Sequence, residues 1–260
     1  MTTNLQDIKS GQSQQSQPAN FPAMLEKYGA EIARALPQHI NASRMSRIAL
    51  TAFRRNQALG RCDPRSVFAA VIQAAQLGLE PDTLGRSYLI PYKNECQFVP
   101  GWKGLVDLCN RSGNATVWTG AVFEGDEFDY QLGDSPKVTH KPGGENDEKK
   151  MTHVYAIGRV NGSTWPVVEV WTAERIKKHL KRYNKQGDRH YAMQGNMEMY
   201  GRKVALLQVL KYMPMSPELT RAVELSYAAD NGSQGLTVEG AIEGTWSPVV
   251  DEDGVIQNAQ

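Results

Sequence analysis

Glu124, Asp126, Glu127 and Asp129 fall close together, and Glu148-Lys149-Lys150 adds a Glu-x-Lys spacing. Carboxylates of this density suit metal-dependent phosphodiester hydrolysis, in which rigid side chains hold two ions ~4 Å apart. Strand alternation, however, would separate Glu127 and Asp129 from Asp126, and Glu148 and Lys150 fall in a run rich in Pro, Gly and charge. The cluster therefore reads first as a solvated acidic turn. A metal-dependent nuclease built on Glu124, Asp126 and Glu127 is the alternative. His39, His140, His153, His179 and His190 are scattered without metal-ligand spacing, and no G-x-S-x-G elbow occurs. No segment matches GxxxxGK[ST], the loop that cradles nucleotide phosphates, so any work on DNA must run downhill without ATP.

Cations offer more. The 260-residue chain carries a formal charge of +1, yet no Lys or Arg occurs from Ala228 to Gln260, where six acids lie. Residues 1–227 thus hold all 29 Lys and Arg against 22 of the 28 acids, a net +7. Seven arginines lie between Arg34 and Arg65 against Asp63 alone, and ten cations between Thr172 and Tyr212 against three acids. Cations gathered in two stretches, with acids exported to a loop and a tail, suit a polyanion partner. Several stand beside aromatics: Arg86 with Tyr88, Lys93 with Tyr92, Lys103 with Trp102, and Lys211 with Tyr212. A single strand is gripped by this combination, charge on phosphates and rings on bases.

The elements that must position these side chains follow from caps and periodicity. Residues 1–20, rich in Gln, Ser and Asn, read as a disordered arm. Asp63-Pro64 starts a core helix carrying Val67, Phe68, Val71, Ile72 and Ala75, and Gly78 ends it. Ser87–Pro91 and Glu95–Val99 read as a hairpin, and Gly101–Arg111 as a helix buried through Trp102, Leu105, Val106 and Cys109. Strands follow at 115–123 and 127–132, then a mobile loop over Asp134–Lys150. A second hairpin turns at Asn161-Gly162, its returning strand an edge because of Pro166. Thr172 caps a helix bearing Arg175, Lys177, Lys178, Lys181 and Arg182. A long helix runs from about Tyr191 to Met213, with Arg202 opposite its apolar stripe.

The expected class is α+β, with helices and short antiparallel hairpins around one core over 21–227, and an acidic flexible tail over 228–260 able to bind a partner. Cys62, Cys96 and Cys109 fit neither a zinc site nor a disulfide framework and are expected reduced in the core. No apolar run approaches the ~20 residues of a membrane span, so a cytoplasmic protein without membrane contact is expected.

ALGRCDPRSVFAAVIQAAQLGLEPDTLGRSYLIPY (58–92), GWKGLVDLCNRSG (101–113), EGDEF (124–128), THVYAIGRV (152–160) and KYMPMS (211–216) resemble successive blocks of the RecT family of phage and prophage single-strand annealing proteins. The resemblance implies ATP-independent annealing of complementary single strands by a ring or filament of protomers. It implies a basic groove holding the annealed duplex intermediate by its backbones, in a bacterial host cytoplasm, beside a phage exonuclease and the host single-strand-binding protein. Gly101, Lys103, Gly104 and Arg111 match the family's basic glycine helix, and Arg202, Lys203 and Lys211 the cations of its last long helix. Val204 and Leu207 or Gln208 depart from the Thr and Arg expected there. Charge, aromatics and resemblance together give a DNA-contact set of Arg86, Tyr88, Lys93, Trp102, Lys103, Arg111, Arg182, Arg202, Lys203 and Lys211. The arginines from 34 to 61 are candidates for contact between protomers. No catalytic residue and no cofactor are expected, Mg2+ entering at most as a modulator of DNA binding.

Overall fold

A computed structural model describes residues 21–27, 29–30, 33, 41–81, 84–184, 187–230 and 234. The expected arm, Arg34, His39, Lys185 and the tail beyond Asp230, Gln234 excepted, lie outside the described residues. The chain divides into two compact units, residues 1–100 with 224–260, and Gly101–Val223.

In the first unit, helices α1 (Phe21–Lys27), α2 (Ala42–Arg55) and α3 (Pro64–Leu77) accompany a hairpin of β1 (Ser87–Tyr92) and β2 (Glu95–Pro100). Asn41 caps α2 through the Arg44 amide, and Asp63 caps α3 through the Arg65 amide at 2.9 Å. Gly78 ends α3 in the left-handed region at φ 64°. Every residue from Ser66 to Ala75 is buried, the polar Ser66 and Gln73 included, so that α3 is enclosed on all sides. Leu89 pairs with Phe98 across the hairpin, whose two-residue turn puts Lys93 at φ 53°.

Helix α7 (Pro217–Asp230) contains the unit boundary. Ala228 and Ala229 are buried in spite of the change of composition at Ala228. Gln234, 1% exposed, accepts a hydrogen bond from the Phe98 N–H and donates to the Phe98 and Leu225 carbonyls at 2.7, 2.7 and 3.0 Å.

The second unit holds α4 (Trp102–Arg111), α5 (Ala173–Tyr183) and α6 (Met197–Leu210). Its three-stranded antiparallel sheet has the order β3 (Ala115–Phe123), β6 (Met151–Val160), β7 (Val167–Thr172). Along β6, Val154 and Gly158 turn toward α6. A Cβ on Gly158 would come within 2.6 Å of Val209 and 2.7 Å of Met213, and one on Gly201 within 3.1 Å of Val154. Glycine is thus what lets helix and sheet approach. The opposite face carries His153, Tyr155, Ile157 and Arg159 on β6, with Trp118 and Val168 flanking Ile157 across the strands.

Two sequence expectations are corrected here. The run Asp134–Lys150 is not one loop: Lys137–Lys141 forms β5, paired with β4 (Glu127–Gln131) so that Phe128 faces His140. This hairpin lies on the outer sheet face, with Phe128 5.3 Å from His153 and 5.9 Å from Tyr155 between ring centroids. The long helix from Tyr191 is also broken: a 3₁₀ turn over Tyr191–Gln194 ends at Gly195, φ 78°, and α6 begins afresh at Met197. Met193, within the 3₁₀ turn, is 51% exposed.

Thr172 caps α5 through the Arg175 amide, and β7 starts after Pro166 at the sheet edge. Cys62, Cys96 and Cys109 are buried free thiols, and burial pushes Cys109 up to about 11. Among the described residues no helix is long and apolar enough to cross a membrane.

Candidate nucleic-acid interface

Three of the carboxylates that suggested metal chemistry are engaged elsewhere. Asp126 accepts hydrogen bonds from the Phe123 and Gly143 amides at 2.8 and 2.7 Å and faces His140 Nε2 at 2.9 Å. Those two amides, then His140, hold its carboxyl down at about 2. Glu127 pairs with Lys141, and Glu148 accepts from the backbone amides of Met197 and Glu198. Among the described residues no three His, Cys, Asp or Glu side chains gather as a metal site.

Cations and rings gather instead where α4 meets α6. Gly101 gives α4 no side-chain cap, so the first-turn amides retain the partial positive charge of an open helix start. Trp102 follows, its indole N–H donating to Met199 Sδ at 3.1 Å. The Arg202 guanidinium lies 5.3 Å and Lys103 Nζ 5.6 Å from the Trp102 ring. One indole thus carries two cations, at ~0.5–1 kcal/mol for each such contact near solvent. Arg202 is bound to Glu198, one turn back, at 2.7 Å, with its side chain 21% exposed. Its Nε has no hydrogen-bond partner among the described residues. Lys203 is only 4% exposed, on the inner side of α6. Lys211 is exposed at the C-cap, beside Tyr212, about 14 Å along the axis from Arg202.

Helix α5 adds a second basic element. Arg175, Lys177, Lys178, Lys181 and Arg182 are all exposed, with a pair between Lys178 and Glu174 at 2.7 Å. Arg182 lies 5.4 Å from the Tyr183 ring and Arg175 3.7 Å from that of Trp171. His179 Nδ1 and the Tyr200 hydroxyl, 2.8 Å apart, tie α5 to α6. Arg111 is exposed at the end of α4 and paired with Asp107.

Seven of the ten sequence-derived residues therefore share the second unit. Arg86, Tyr88 and Lys93 belong to the first: Arg86 half-buried, Tyr88 40% exposed, and Lys93 exposed with Nζ 5.6 Å from the Tyr92 ring. Arg175 stands as close to an indole as any cation described, and the set drawn from sequence omits it. The cue was present, an Arg just inside a Thr-capped helix and four residues after the Trp of an apolar strand.

The RecT family pattern matches residues 43–238, a span that runs from the second residue of α2 to beyond the end of α7. The chain belongs to the RecT family. It is 37% identical over 252 residues to Protein RecT of Escherichia coli (strain K12), covering 93% of this chain and 87% of that one. A second similar protein, Uncharacterized protein YqaK of Bacillus subtilis (strain 168), is 26% identical over 188 residues, 67% of this chain and 60% of the other. RecT membership carries the coarse assignment, DNA binding and strand annealing in recombination. The RecT span reaches past the compositional break at Ala228 to include Gln234, in keeping with the burial of that side chain.

Proposed function

We propose that this protein anneals complementary single-stranded DNA without ATP, as an oligomer whose protomers line a continuous basic groove. Annealing releases on average ~1.4 kcal/mol per base-pair step, so the protein's task is kinetic. It offsets phosphate repulsion, keeps each strand extended and leaves base edges open. The observation that carries the reading is the placing of Lys103 and Arg202 on one indole at an uncapped helix start. Charge for phosphates and a ring for a base meet there.

Arg182, Arg111 and Lys211 extend the contact along the backbone, and Arg86, Tyr88 and Lys93 form a separate contact set on the first unit. Lys203, being buried, supports the position of α6. A phage exonuclease supplies single strands by resecting duplex, and the host single-strand-binding protein hands them over, in the bacterial cytoplasm. Mg2+ acts only by screening phosphates.

The test mixes two complementary oligonucleotides with the protein, without nucleotide, and times duplex formation. Acceleration over the spontaneous rate is expected, together with a fall in the log-log salt slope of binding of about 0.7 for each phosphate contact removed, as in Arg202→Ala. No acceleration, or Mg2+-dependent loss of labelled DNA, would overturn the reading.

A further inference from the structure

The outer face of the β3-β6-β7 sheet is covered by the β4–β5 hairpin over only part of its length. Beyond the stack of Phe128 on His153 and Tyr155, the sheet and the hairpin tip enclose an open cleft of about 540 Å3, of the ~300–1,000 Å3 that suits a small organic group. Its walls include Trp118, Val138, Pro166 and Trp165, with Lys137 and Arg159.

The register explains the wall. Trp118, Ile157 and Val168 form one row across the three strands, and Thr116 and Arg159 begin the next on the same face. Ile157 is nearly covered, at 7% exposed, whereas Trp118 is 39% and Trp165 53% exposed. Lys137 and Arg159 are exposed too, and among the described residues neither is joined to a carboxylate. The other hairpin cation, Lys141, is bound to Glu127 at 3.0 Å.

We infer that this cleft is a second binding site for single-stranded DNA, in which a base stacks on Trp118 or Trp165 while flanking phosphates meet Arg159 and Lys137. Large rings left in water beside uncommitted cations suit a chain that alternates flat apolar groups with anions. An apolar protein partner would leave Arg159 and Lys137 desolvated and unpaired, which is costly. The inference rests on the proposed function and deepens it. A strand held at Trp102 and Arg202 gains a second anchor, and its bases gain a platform that discriminates stacking from charge alone.

The test uses the full-length protein and two fluorescent oligonucleotides of equal length, one normal and one abasic at every other position. The unmodified protein is expected to prefer the normal strand. Trp165→Ala is expected to weaken the normal strand at least about 5-fold with little change for the abasic one, and Trp165→Phe to keep most of the preference. Arg159→Ala is expected to weaken both strands equally.

If Trp165→Ala keeps full preference while Arg202→Ala weakens binding, the cleft is not a DNA site, although the proposed function survives. If no variant matters because the unmodified protein binds no single strand, the proposed function itself fails. Loss of self-association in Trp165→Ala with affinity intact would make the cleft a protein interface and overturn the inference. A substitution-free measurement guards against misfolded variants: 5-iodouracil DNA irradiated on the unmodified protein is expected to crosslink to peptides carrying Trp118 or Trp165. Crosslinks confined to other peptides would reject the site.

Discussion

The Glu148 carboxylate accepts hydrogen bonds from the backbone amides of Met197 and Glu198, at 3.2 and 3.4 Å, and so caps α6 from 49 residues upstream. Asn196, the local candidate, makes no side-chain cap bond. An anion at a helix start satisfies orphan N–H groups and meets the positive end of the dipole. Glu148→Ala is therefore expected to cost about 0.5–2 kcal/mol in urea unfolding, with Glu148→Asp recovering part. Because α6 carries Arg202 on its second turn, the same variant is expected to slow annealing by more than its loss of stability explains.

Asp126 fastens the β4–β5 hairpin to the sheet through His140, whose other ring nitrogen lies 3.2 Å from the Tyr155 hydroxyl. Its carboxyl is held below the ordinary 3.8, at about 2, by the Gly143 and Phe123 amides and then by His140. A lowered carboxyl favours the folded state where it is ionised. The contribution is complete above pH ~4 and is lost as pH falls toward about 2. Melting temperature measured across that window is expected to drop steeply in the unmodified protein and more gently in Asp126→Asn, which starts from a lower value at pH 7.

Gln234 supplies both partners of the Phe98 peptide groups from a position 136 residues away. Removing its amide leaves a buried N–H and a buried C=O unpaired, at ~1–3 kcal/mol for each orphaned group. Gln234→Ala is expected to lower stability by at least that of one group. Truncation after Ser233 is expected to do the same. A deletion meant to probe the acidic tail should therefore begin beyond Gln234.

The sequence announced those elements whose ends carry their own chemistry. Asp63-Pro64 and Gly78 bound α3, Thr172 starts α5, and Asn161-Gly162 turns β6 into β7. It concealed β5, because Lys-Val-Thr-His-Lys turns only Val138 and His140 inward, and short charged strands resemble loops. Only Gly195 itself marked the break before α6, and a lone glycine does not by itself end a helical pattern. At the interface, alternation of cations and rings was legible residue by residue. Convergence was not: Trp102 and Arg202 meet across 100 residues of chain, and Lys203 turns inward because α6 is packed on more than one stripe.

Gly158 marks where β6 and α6 touch most closely. Its missing Cβ would stand 2.6 Å from a Val209 methyl and 2.7 Å from the Met213 thioether. Met213 can swing aside, but Val209 has no such freedom. Gly158→Ala is expected to cost ~1–3 kcal/mol by overpacking, read as a lower urea midpoint with the m-value unchanged. Val209→Ala in the same chain is expected to restore part of the loss, since it removes the methyl the new Cβ meets.

Glu198 and Arg202 form the pair on which the electrostatics of the interface turn. They lie one turn apart at 2.7 Å, with side chains 17% and 21% exposed. A phosphate approaching Arg202 must therefore compete with a carboxylate already in place. An i,i+4 pair contributes only ~0.3–0.5 kcal/mol, so Glu198→Gln sacrifices little stability while removing one negative charge from beside the strand. Tighter single-strand binding, by several-fold at low salt and less as salt rises, is the expected result, measured by anisotropy over a salt series. In Arg202→Ala the competition disappears, so adding Glu198→Gln there is expected to give a smaller gain than in the unmodified protein. Equal gains in both backgrounds would mean that Glu198 acts on the strand directly and that Arg202 makes no phosphate contact.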